Sequence, residues 1–94
     1  MSTVTIRIPT PLRPSTGGAS DVVVEAATVR DALRTLEARF GDLQGRVLAP
    51  EGELRGFVNV FVGDTDVRRL AGLDTPLDDG VSISVLPAVA GGAS

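Results

Sequence analysis

Apolar residues occupy every second position in Val4-Thr5-Ile6-Arg7-Ile8, the spacing of a strand with one face buried. Pro9-Thr10-Pro11 interrupts the alternation, and Pro14 to Gly18 read as a loop. Alternation resumes over Asp21 to Ala26, with Val22, Val24 and Ala26 on one face. Two such strands around a loop predict an opening hairpin. The period then lengthens: Val29, Ala32, Leu33, Leu36 and Phe40 fall on a single helical stripe. Thr28 is placed to cap this helix, Asp31 puts a negative charge in its first turn, and Gly41 is placed to stop it. Leu43 to Glu53 is irregular, with a short turn around Leu43–Leu48.

Phe57 to Val62 reads as a strand closed by Gly63-Asp64, and Val67-Arg68 as a short edge strand. Asp78-Asp79-Gly80 forms a turn before the strand Val81 to Leu86, which Pro87 ends. The order predicts an α+β domain over residues 1–87, a mixed four- to five-stranded sheet packed on one helix. Residues 88–94 are small and have nothing to anchor them, so a mobile tail is expected.

Strand parity assigns the faces. With Val4/Ile6/Ile8, Val22/Val24/Ala26, Val58/Val60/Val62 and Val81/Ile83/Val85 under the helix, the opposite face carries Arg7, Phe57, Asn59, Phe61, Ser82, Ser84 and Leu86. Two phenylalanines and a leucine there form a modest apolar patch, which often marks a partner site. The alternative is that the loop from Leu43 to Arg55 folds over them.

Composition narrows the chemistry. The chain has no His and no Cys, so the commonest general base, the commonest metal ligand and the thiolate nucleophile are absent. All nine cations are Arg, scattered along a chain of net charge −3, a balance that argues against nucleic-acid binding. No apolar run approaches the roughly 20 residues of a membrane helix, and the N-terminus lacks a secretory signal, so a cytoplasmic protein is expected. Asp64/Asp66 and Asp78/Asp79 sit beside glycines and read as turns, not as a calcium loop. Gly17-Gly18 does not sit between a strand and a helix and is a turn, not a phosphate cradle.

Three segments carry a resemblance. They are Leu12-Arg13-Pro14 continuing to Thr16-Gly17-Gly18, Phe57-Val58-Asn59, and Asp79-Gly80 followed by Leu86-Pro87-Ala88-Val89-Ala90-Gly91-Gly92. Together with the element order they resemble the β-grasp, ubiquitin-like sulfur carriers of the MoaD/ThiS kind. That group includes the small subunit of molybdopterin synthase, the thiamin thiazole carrier and, nearest in its loop, the carrier for protein-bound cysteine biosynthesis.

The resemblance implies a carrier and not an enzyme. An activating enzyme, using ATP and magnesium that this chain does not itself hold, adenylates the Gly92 carboxylate; a sulfur donor then displaces AMP to leave a thiocarboxylate. Gly91 would let the tail thread a narrow channel, and Arg7, Phe57, Asn59, Phe61 and Leu86 would meet the partner. No cofactor of its own is implied. An acceptor synthase receives the sulfur, in cysteine biosynthesis by preference, with molybdopterin, thiazole and sulfur-containing natural products as the other destinations. Ala93-Ser94 departs from the pattern. Some relatives rely on a zinc metalloprotease to remove such an extension, and the other reading is a remnant of cloning or a harmless ragged end. Two different functions stand beside the carrier: a protein modifier that forms isopeptides, and an interaction module with an inert tail.

Overall fold

In the computed structural model, which describes residues 1–54 and 58–87, the two alternating segments pair as antiparallel strands β1 (Ser2–Arg7) and β2 (Asp21–Ala26). Val4 lies opposite Val24 and Ile6 opposite Val22, so both aliphatic rows share one face. The connection is more ordered than the expected loop. Thr10–Thr16 winds as a 3-10 helix, helped by the preset φ of Pro11 and Pro14. The buried Thr16 hydroxyl lies 3.0 Å from the carbonyl oxygens of Arg13 and Ala19.

Helix α1 (Val29–Arg39) buries Val29, Ala32, Leu33 and Leu36. Thr28 caps it, its hydroxyl accepting the Asp31 N–H at 3.3 Å. The expected stop at Gly41 is not how the helix ends. Phe40 is the capping residue, in extended conformation, and Gly41 opens a 3-10 turn over Gly41–Leu43 at a negative φ. The early exit carries Leu43 into the core, where it is fully buried.

The irregular segment after Leu43 packs along the helix. Val47 and Leu48 are buried, and their N–H groups donate to the Glu37 carboxylate at 3.2 and 3.0 Å. That satisfies two backbone donors lying outside the strands of the sheet, beside the antiparallel bridge of Leu48 with Leu54. Farther on, the Arg30 guanidinium donates to the Gly52 carbonyl at 2.8 Å. The described part of the loop therefore does not cover the outer face of the sheet.

Strands β3 (Val58–Val62), β4 (Thr65–Asp66) and β5 (Ser82–Pro87) complete a five-stranded sheet in the order β2-β1-β5-β3-β4. The first and last strands are interior and parallel, Ile6 lying opposite Ile83; the other pairings are antiparallel. One edge element differs from expectation. β4 lies at Thr65–Asp66, paired with Phe61 and Val62, and Val67–Arg69 is a 3-10 turn. Val67 is 1% exposed, and the turn is what swings its side chain inward. Asp66 caps the turn by accepting the Arg68 N–H at 2.8 Å.

The core is the aliphatic set that parity places under the helix, joined by Leu43, Val47, Leu48, Val67, Leu73 and Leu77 from the connections. Val62 and Val81, at strand ends, are half-buried. Each fully buried Val, Leu or Ile contributes about 1.5–3 kcal/mol, which is how a chain with three Phe and no Tyr or Trp holds one core.

Candidate functional site

The outer face of the sheet takes its geometry from β5. Odd and even residues of that strand point to opposite sides, which buries Ile83 and Val85 and leaves Ser82, Ser84 and Leu86 outward. Register then lays Arg7, Ser84 and Phe61 side by side across β1, β5 and β3, and sets Leu86 beside Asn59. Leu86 is 45% exposed, Arg7 is exposed, and Asn59 and Phe61 are half-buried. Four of the predicted contact residues thus share one face near the end of β5. Phe57, Gly91, Gly92, Ala93 and Ser94 lie outside the described residues.

A shallow depression of about 260 Å³, lined by Phe61, Gly63, Asp64, Ser84 and Leu86, lies on this face. A second of about 390 Å³ opens on the β1 side of Leu86. The Arg7 guanidinium is 3.8 Å from the Asp21 carboxylate, both side chains more than half exposed, so the pair is weak and easily exchanged.

Arg68 was not singled out in the sequence. Its guanidinium donates to the Asn59 side-chain oxygen at 2.7 Å and to the Val58 carbonyl at 3.2 Å, and lies 3.7 Å from Asp66. Among the described residues β4 pairs only with Phe61 and Val62, and no strand lies beside the Val58–Asn59 stretch of β3 on that side, where Arg68 supplies hydrogen bonds instead. Val58 and Asn59 in turn pair with Pro87 and Leu86. The Asp66-Val67-Arg68 capping pattern is the only sequence signal for this brace.

Chemically the face offers contact and charge. Ser82 and Ser84 stand on this face in a chain without His or Cys, the commonest general base and the thiolate nucleophile. Among the described residues, no group of His, Cys, Asp or Glu is placed to hold a metal, and no helix is long and apolar enough to cross a membrane. Asp79 is occupied with structure, accepting the Thr3 N–H at 2.6 Å. The arrangement sets apolar and charged side chains together on one face at the end of β5.

The pattern of the ThiS family matches residues 6–92. The chain is 45% identical over 91 residues to the sulfur carrier protein CysO of Mycobacterium tuberculosis, covering 95% of this chain and 98% of that one. It is 47% identical over 70 residues to small archaeal modifier protein 3 of Haloferax volcanii, covering 74% and 75% respectively. Among solved structures, the crystal structure of the Amycolatopsis orientalis BexX/CysO complex contains a chain that matches with a TM-score of 0.85 and 42% identity, over 93% of this chain and 97% of that one.

Proposed function

The chain belongs to the ThiS family of ubiquitin-like sulfur carriers and has their β-grasp fold, and from that membership we propose that it carries sulfur as a thiocarboxylate on Gly92. The observation that carries this reading is the extent of the family match, which runs through the diglycine to Gly92 and leaves Ala93-Ser94 beyond it. The likeness to CysO favours cysteine biosynthesis as the destination of the sulfur.

The chemistry then divides between two proteins. A Gly92 carboxylate oxygen attacks the α-phosphorus of ATP on an activating enzyme, and pyrophosphate leaves. A sulfide-level donor attacks the resulting acyl carbon, AMP leaves, and the thiocarboxylate remains. Gly92 presents that carbon with no side chain in the way, and Gly91 frees the backbone before it. While Ala93-Ser94 is attached, the Gly92 carbonyl is an amide and offers no oxygen to adenylate. A protease, a zinc enzyme on the family pattern, therefore acts first.

Gly92 is five residues beyond Pro87, a reach of at most about 18 Å when fully extended. The activating enzyme and the acceptor synthase must each come close to the end of β5. Phe61, Leu86, Asn59 and Arg7, with Phe57 in the sequence beside them, supply the contact. A modifier role draws on the likeness to small archaeal modifier protein 3, but that match spans 70 residues against 91 for CysO, so the carrier reading takes precedence.

The test uses two forms, one ending at Gly92 and one at Ser94, incubated with the activating enzyme, ATP and sulfide. The Gly92 form is expected to gain the mass of one oxygen-to-sulfur exchange at its terminus, and the Ser94 form nothing. Equal gain by both would refute the amide argument; gain by neither would refute the carrier chemistry.

A further inference from the structure

On the β1 side of Leu86, the ends of the parallel strands β1 and β5 and the 3-10 helix after β1 enclose the groove of about 390 Å³. Arg7, Pro9, Thr10, Arg13, Ser84 and Leu86 shape it, and none of its lining residues is acidic. That is a local reversal of sign in a chain of net charge −3. Arg13 is held there by its Nε–H, which donates to the Ile8 carbonyl at 3.2 Å. Its terminal amino groups have no hydrogen-bond or ion-pair partner among the described residues. Among the described residues Arg7 reaches only Asp21, across 3.8 Å and in an exposed setting.

We infer that this groove receives a carboxylate side chain from an acidic segment of the activating enzyme, whose aliphatic neighbours cover Leu86 and Pro9. Two guanidiniums beside a half-exposed leucine match such a segment in charge and in apolar contact. Planar guanidinium donors also bind a carboxylate through paired hydrogen bonds. The identity of the partner rests on the carrier reading: a protein that takes Gly92 within the reach of the tail must lie against the end of β5, and the groove adjoins that end. Contacts of this kind at an interface rim speed association and make it sensitive to salt.

The decisive comparison is charge reversal at the groove against charge reversal elsewhere. Arg13→Glu in the Gly92-ending protein should raise the KM for sulfur loading by roughly five- to tenfold with kcat unchanged, and flatten its dependence on salt. Arg46→Glu, on the exposed turn after Leu43, alters net charge equally and should leave KM as it was. Arg7→Glu, on an exposed strand position, serves in the same assay should Arg13→Glu lower the melting temperature. Equal effects of the groove and Arg46 variants, or no effect of either groove variant, would overturn the inference.

A second arm is independent of loading: NMR titration of the unsubstituted protein with a peptide alternating glutamate and leucine. Shifts at the amides of Thr10, Arg13, Ser84 and Leu86, abolished by Arg13→Glu, support the groove; their absence overturns it. Failure of the unsubstituted protein to load sulfur refutes the carrier reading instead, and the titration still decides the groove.

Discussion

Val60 and Phe61 are adjacent in sequence and opposite in environment. Val60 is fully buried in the core, whereas Phe61 is half-buried on the outer face, beside Ser84 on β5 and Asp66 on β4. Replacing each by serine separates folding from function. Val60→Ser removes methyl groups from a packed site and buries a hydroxyl, at a cost of about 1–3 kcal/mol. In a domain of this size that lowers Tm by about 4–8 °C per kcal/mol, while the folded fraction should load sulfur normally. Phe61→Ser should melt close to the parent protein yet load poorly at limiting activating enzyme, recovering as enzyme is raised, because an interface aromatic often contributes more than about 2 kcal/mol. A calorimetric scan beside a loading assay distinguishes the two. Unfolding of the Phe61 variant would remove the outer face as a docking surface.

Among the elements, the β3 residues that pair with the end of β5 are held by a side chain from the 3-10 turn after β4. Arg68 donates to the Val58 carbonyl and the Asn59 side-chain oxygen, and those two residues pair with Pro87 and Leu86. Arg68→Ala should destabilise the domain by only about 0.5–1.5 kcal/mol, since the guanidinium is half exposed. It should nonetheless speed amide hydrogen exchange across the Asn59–Leu86 pair well beyond that at the Ile6–Ile83 pair. Uniform acceleration at both would mean that Arg68 supports global stability and not the strand end. Such a brace explains what was legible in the sequence and what was not. β2 appears at its predicted residues because alternation and a flanking turn coincide there, and α1 because stripe and Thr28 cap agree. β4 is two residues long, too short to show a period, and Arg68 acts through space. Gly41 suggested a helix stop on local grounds, but burial of Leu43 decided where the helix ends.

At the scale of the molecule, the outer face was legible because parity needs only one buried face to fix the other, and Arg7, Asn59, Phe61 and Leu86 stand where it put them. The Arg7/Arg13 groove was not, since it joins a strand to a 3-10 helix that the prolines had suggested was a loop. Both features adjoin the end of an interior strand, so on the proposed function a partner that takes Gly92 would also meet this face. On that reading, the chemistry that partner enzymes supply acts at the carboxylate of Gly92, and the central claim is tested there. The most direct test is intact mass spectrometry of the protein isolated from its native host during active sulfur assimilation. The expected species lacks Ala93-Ser94 and carries one oxygen replaced by sulfur. A population consisting only of chains that retain Ala93-Ser94, with no sulfur gained while transfer is under way, would contradict it.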